Sequence, residues 1–269
     1  GGFMDFGERN FVANDGEYIA RSRLSGFSYR RKFHEDCRSR RKFGRISQRI
    51  KGGFLIFMAF NKNLVIKVCG MRDEENIRAV EQLDVDWMGF VFYPESPRYM
   101  AQPLGFKNFP FDVKRVGVFV NEQKDIVRKT SLKNLIQVIQ LHGSELPSYC
   151  RVLQLDGFEV MKAFSIDSER RFPVKKVRLY EKCCDYFLFD TRTSGYGGSG
   201  RKFDWDVLSD YRGDVPFLLS GGISPDDVEA IKAFSHPMFM GIDLNSCFEI
   251  SPGYKDTALL QSFIEEIRK

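Results

Sequence analysis

The sequence lacks any apolar run near the roughly 18 residues that a membrane-spanning helix requires; its longest candidate, residues 54–60, is far shorter. No membrane partner is expected. It lacks a CxxC pair as well. Its six cysteines, Cys37, Cys69, Cys150, Cys183, Cys184 and Cys247, keep no regular spacing, and its three histidines, His34, His142 and His236, are scattered. That pattern argues against a structural zinc site. In a chain too long to need disulfide staples, it points to a reducing, cytoplasmic compartment. Excess positive charge is lacking over most of the chain: residues 1–57 hold 13 Lys and Arg against 6 Asp and Glu, and the remainder holds 28 against 30.

The basic first segment carries RSR, YRRK and RSRRK separated by Gly and Ser, with no sustained helical or alternating pattern. It reads as disordered or weakly helical. A nucleic-acid arm would place such arginines on phosphates, but no recognisable nucleic-acid module accompanies them, and no nucleic-acid partner is expected. A transit peptide would be poor in acids, whereas this segment holds Asp5, Glu8, Asp15, Glu17, Glu35 and Asp36. The favoured reading treats residues 1–57 as upstream sequence, with Met58, just before the first clear strand, beginning the functional protein. Two domains are expected on this basis: the extension, 1–57, and a catalytic unit, 58–269.

From Leu64 onward, short apolar runs alternate with amphipathic stretches. Strands are expected at 64–68, 87–92, 115–120, 136–141, 159–164, 186–189, 216–219 and 239–244. They are near-continuously apolar, as strands buried on both faces should be. Asp73 can cap a helix that carries Ile77, Val80 and Leu83 on one side, and Ser224-Pro225-Asp226-Asp227 supplies a cap, a proline at the first helical position and an acid at the third. A final helix repeats Leu259, Leu260, Phe263, Ile264 and Ile267 on one face. Helix signals are poor at 102–112 and 145–157. Eight alternations over about 206 residues fit a (β/α)8 barrel better than an open doubly wound sheet.

In such a barrel the chemistry lies at the C-terminal strand ends. The residues there are Cys69-Gly70, the stretch from Tyr93 to Arg98, Asn121, His142-Gly143, Asp190-Thr191, Ser220-Gly221-Gly222 and Asp243-Leu244-Asn245-Ser246. A glycine turn after strand 7 and a polar turn after strand 8 are where these barrels bind phosphate through backbone N–H groups. A second glycine cluster, residues 195–200, is followed by Arg201-Lys202 rather than Lys then Ser or Thr, so it is no triphosphate loop; it suits a mobile loop closing over substrate. Asp190 follows the apolar residues Tyr186, Phe187, Leu188 and Phe189, a setting that raises a carboxyl pKa and suits a proton donor. Arg98 can hold a carboxylate bidentately.

Seven stretches in register, VIKVCGMRDEENI, GFVFYPESPRY, VGVFVN, IQLHGSE, FDTRTSGYGGSGRKFDW, LSGGISPDDV and GIDLNS with PGYKD, resemble the phosphoribosylanthranilate isomerases of tryptophan biosynthesis. The resemblance covers nearly all of 64–269 and none of the extension. It implies an Amadori rearrangement of N-(5-phosphoribosyl)anthranilate to 1-(2-carboxyphenylamino)-1-deoxyribulose 5-phosphate, an aldose-ketose isomerisation without metal or cofactor. By the same resemblance Asp190 is the general acid and Cys69 the general base, and Arg98 holds the anthranilate carboxylate. Gly221, Gly222, Asn245 and Ser246 fall on the phosphate turns, with His142 and Asp243 as further substrate-binding candidates. The sequence departs at Asn245 and Cys247, where the family more usually has Ser and Gly. The implied partner is a phosphorylated small molecule, bound by a monomer or weak homodimer.

Two rivals remain. A related sugar-phosphate isomerase barrel would use a pair of aspartates, but strand 1 here ends in Cys69. A silent barrel with a nucleic-acid-binding arm would show salt-sensitive binding lost on removing residues 1–57. The enzyme reading instead expects that truncation to leave isomerase activity intact; loss of turnover in a folded truncated protein would contradict it.

Overall fold

The computed structural model describes residues 64–101, 112–167, 172–192 and 205–269. The expected extension, the 102–111 part of the weak crossover and the 195–200 glycine loop lie outside the described residues. Eight parallel strands close into a barrel in sequence order: β1 (Val65–Val68), β2 (Trp87–Val91), β3 (Lys114–Phe119), β4 (Val138–Leu141), β5 (Glu159–Asp167), β6 (Tyr186–Arg192), β7 (Phe217–Ser220) and β8 (Phe239–Leu244). Closure is made by β8 against β1, with Lys67 opposite Asp243. All eight expected strands are present. Three run past their expected ends: β7 by one residue, to Ser220, and β5 and β6 by three, because they stay paired through Asp167 and Arg192, so Asp190 sits near the C-terminal end of its strand rather than after it.

Helices cover the outside: α1 (Glu74–Glu81), α2 (Lys124–Lys133), α3 (Pro147–Leu155), α4 (Val174–Arg178), α5 (Val228–Ala233) and α6 (Thr257–Arg268), with a 3-10 segment, Trp205–Asp210, between β6 and β7. Asp73 caps α1 by accepting from Asn76 N, and Asp256 caps α6 by accepting from Leu259 N at 3.0 Å. α3 forms where the sequence gave little warning. Leu146 cannot cap it, but Pro147 pre-sets the first helical φ, and Cys150 and Leu153 bury against the barrel.

Strand alternation splits the apolar residues into two layers. Trp87, Val116, Val138, Met161, Leu188 and Leu218 fill the barrel interior. Phe164, Phe187, Phe189, Phe217 and Phe239 point outward to the helices and meet edge to face or tilted, with Phe189–Phe217 and Phe234–Phe239 centroids 4.9 Å apart. Burying each such ring contributes about 1.5–3 kcal/mol.

The seam between β8 and β1 is tight. A Cβ on Gly241 would lie 2.1 Å from the Val65 carbonyl oxygen. Gly241→Ala is expected to lower stability by about 3 kcal/mol, the upper range for overpacking, whereas losing a cap with Asp256→Ala removes only about 1 kcal/mol. Urea unfolding of both variants checks the order; equal losses would contradict this account of the seam.

Candidate active site

Cys69 leaves the C-terminal end of β1 and is buried, its N–H donating to Leu244 O at 2.9 Å. Its sulfur fits only because β2 offers Gly89 beside it, where a Cβ would stand 2.6 Å from Sγ. Gly70 follows with φ +78°, and a Cβ there would strike Arg98 Cδ at 2.6 Å and Asn245 Oδ1 at 2.8 Å. Both the left-handed backbone and the close approach call for glycine. Cys69, Arg98 and Asn245, far apart in sequence, thus meet at one rim.

Across the mouth Asp190 is buried and its Oδ2 lies 3.3 Å from His142 Nε2. The Gln140 side-chain amide lies 3.2 Å from His142 Nδ1 and orients the ring so that Nε2 faces the aspartate. The loop carrying His142 is pinned from behind. Glu145 accepts from Asn121 N at 2.7 Å and from Gly143 N at 3.0 Å, and pairs with the buried Lys162 at 3.2 Å. Asn121, at φ 51°, in turn accepts from Ser144 N at 2.7 Å.

Gly221 and Gly222 take φ of 98° and 71°, and Asn245 leads into the 3-10 turn Ser246–Phe248. Cys247 is exposed and donates to Gly222 O at 3.8 Å, so the side chain that replaces the expected glycine bridges the two turns. Asp243 is buried beneath them, 2.6 Å from Lys67 Nζ, with Ser220 Oγ donating to its other oxygen at 3.0 Å.

A small hairpin follows, β9 (Glu249–Ser251) and β10 (Tyr254–Lys255). Glu249 receives the Arg98 fork at its carboxylate, with Nε at 2.8 Å from Oε1 and Nη2 on Oε2. It also accepts from Lys255 Nζ at 2.8 Å, and Lys255 donates on to Asn245 Oδ1 at 2.8 Å. Burial works to raise the Glu249 carboxyl, but the hydrogen bonds from Arg98 and Lys255 outweigh it, and the group sits below its ordinary value. Burial lowers Lys255. Lys67, Glu145, Lys162, Glu249 and Lys255 were missed in the sequence, although a lysine breaking an apolar strand, as in VIKV and EVMKAF, is a readable signal.

Among the described residues one cluster has metal-capable ligands, Cys150, Cys183 and Cys184, whose sulfurs lie within 4.8 Å of one another. It lies outside the barrel wall, between α3 and the start of β6. Cys184 donates to Cys150, which lowers the one thiol and raises the other, while burial pushes Cys183 up to about 11. Two of the three therefore stay protonated near neutrality and pack as small apolar groups.

A family model described as N-(5'phosphoribosyl)anthranilate (PRA) isomerase matches residues 66–266. The chain belongs to the phosphoribosylanthranilate isomerase family. Among relatives, the N-(5'-phosphoribosyl)anthranilate isomerase of Parabacteroides distasonis is 47% identical over 208 residues, covering 76% of this chain and 93% of that protein. That of Phocaeicola vulgatus is 47% identical over 206 residues, covering 77% and 98%. The crystal structure of the isomerase from Thermotoga maritima superposes with a TM-score of 0.64 at 31% identity, over 76% of this chain and 98% of that one. A second isomerase structure, in complex with reduced 1-(o-carboxyphenylamino)-1-deoxyribulose 5-phosphate, gives a TM-score of 0.62 at 28% identity over the same shares.

Because Glu249 is held below its unfolded value, its contribution to stability is complete above the ordinary carboxylate range and fades as pH falls through the depressed folded value. Removing it strands the buried Lys255 and the half-buried Arg98. Glu249→Ala is expected to lower stability by about 3–5 kcal/mol at neutral pH and to flatten the acid side of the stability profile. Urea midpoints across that range measure both effects; an unchanged acid limb would contradict the pairing.

Proposed function

We propose that this chain carries out the family's Amadori rearrangement of N-(5-phosphoribosyl)anthranilate with Asp190 as general acid and Cys69 as general base. The carrying observation is that these two proton-transfer groups stand at one barrel mouth, beside a glycine turn after β7 and a polar turn after β8 suited to a phosphate. Backbone N–H groups of Gly221, Gly222, Asn245 and Ser246 would anchor the phosphate, where oriented amides favour an anion. Arg98, oriented by Glu249, would receive the anthranilate carboxylate.

Asp190 gives its proton to the furanose ring oxygen. The ring C1–O bond breaks, its electrons remain on that oxygen, and the nitrogen lone pair forms the C1=N bond of a protonated imine. His142 Nε2–H then stabilises the carboxylate left on Asp190, an interaction that strengthens as the proton departs. The Cys69 thiolate removes the proton from C2; the C–H electrons form C1=C2 and the C1=N pair returns to nitrogen. Tautomerisation of that enolamine, with protonation at C1 and loss of the hydroxyl proton at C2, gives the ketose. No metal or cofactor is needed for these steps. His142 and Asp243 act around the substrate in this reading, His142 through Asp190 and Asp243 from beneath the phosphate turns. The chain works as a monomer or weak homodimer; the structure of monomers generated from dimeric Thermotoga maritima isomerase concerns a relative that forms dimers.

Cys69→Ala and Asp190→Ala are each expected to reduce kcat by about 10²–10⁴-fold, the usual contribution of a positioned acid or base. Arg98→Ala should mainly raise KM. Steady-state kinetics on folded variants tests the assignment; wild-type kcat in either of the first two would sink it.

A further inference from the structure

Lys67 and Cys69 stand two residues apart on β1, so both side chains leave the strand on the same face, into the barrel. Lys67 is completely buried, a costly place for an ammonium. Its Nζ lies 2.6 Å from Asp243 Oδ1 across the closing seam. Ser220 Oγ occupies the other oxygen of Asp243 at 3.0 Å, drawing part of that carboxylate's charge away from the lysine.

The charged groups that face Cys69 are few. Lys67 comes from its own strand, Asp243 from β8, Lys255 from β10 and Arg98 from the segment after β2. Gly89 on β2 presents no side chain at all. Burial pushes the Cys69 thiol up more than any other influence; Lys67 pulls it down most strongly, Asp243 pushes it up, and Lys255 pulls it down, and the thiol sits above its ordinary value. Burial likewise works against the charge on Lys67, yet Asp243 and Cys69 outweigh it, and the amine sits above its ordinary value. The lysine is therefore a fixed cation beside a buried thiol, and the strongest of the influences that offset burial's resistance to ionisation.

We infer that Lys67 is the positioning residue that makes Cys69 competent as a base: its buried ammonium, locked in place by Asp243, is the counter-ion against which the thiolate forms. The inference rests on the assignment of Cys69 as base and adds to it the source of the thiolate. Lys67 itself does not touch the sugar. It acts through Cys69, and an ammonium held by a carboxylate has no free lone pair with which to take a proton.

The pH dependence of Cys69 alkylation by iodoacetamide, read by mass spectrometry on the Cys69 peptide so that exposed Cys247 does not contribute, measures the thiolate directly and needs no turnover. In the full chain, Lys67→Met is expected to move the half-reaction pH up by about one unit or more, the usual size for losing an opposite charge at this range. Asp243→Asn removes the opposing charge and should move it down. In kinetics, Lys67→Met should lower kcat about tenfold or more near neutrality with KM little changed, and recover as pH rises. An unmoved midpoint in folded Lys67→Met overturns the inference, and so do shifts of the same sign in both variants, which would report loosening of the site. Should Lys67→Met fail to fold, Asp243→Asn decides alone: a downward shift supports the counter-ion role and any other result rejects it. Full activity in Cys69→Ala would instead reject the base assignment, whatever the alkylation profile shows.

Discussion

Lys67 and Asp243, 2.6 Å apart inside the barrel, form a buried ion pair. It spans the seam where the last strand closes on the first, in an interior otherwise filled by Trp87, Val116, Val138, Met161, Leu188 and Leu218. Two charges in such surroundings are tolerable only together; removing one leaves the other unpaired at a cost of about 3–5 kcal/mol. Hydrophobic residues of similar volume could close the seam as well or better. The charges are explained by what they adjoin: Cys69 above the lysine, and through Ser220 and Asp243 the strand ends that carry the glycine turn after β7 and the polar turn after β8.

Two further buried pairs follow the same logic. Lys162 and Glu145 hold the loops after β3 and β4, and so fix His142 against Asp190. Lys255 and Glu249 hold Arg98 and Asn245. Each pair stands behind a residue assigned to the substrate and orients it. Side chains locked in this way give proton transfer a defined geometry, which a flexible mouth could not.

Most of the fold was legible because parallel strands buried on both faces leave unbroken apolar runs, and each of the eight runs became a strand. The helix α3 was obscure because Leu146 offers no cap and its buried face is narrow. The hairpin β9–β10 was obscure for another reason: strands of three and two residues carry no periodicity, and their importance lies in Glu249 and Lys255, which read as ordinary surface charges. At the site, strand ends identified Cys69, Asp190, His142 and the glycine and polar turns, since position alone selects them. Residues that act from behind are set by tertiary contacts across 17 residues for Glu145 and Lys162 and 151 for Arg98 and Glu249. No local pattern encodes such partners. Arg98 illustrates the difference: its reach to the mouth was readable, its fork on Glu249 was not.

The barrel is thus a working isomerase whose proposed chemistry is confined to its own side chains. Growth of cells lacking phosphoribosylanthranilate isomerase, on medium without tryptophan, measures this most directly when the full chain is expressed in them. The account predicts that the wild-type chain restores growth and that Cys69→Ala and Asp190→Ala, made to equal levels, do not. Failure of the folded wild-type chain to restore growth, or full rescue by either variant, would contradict it.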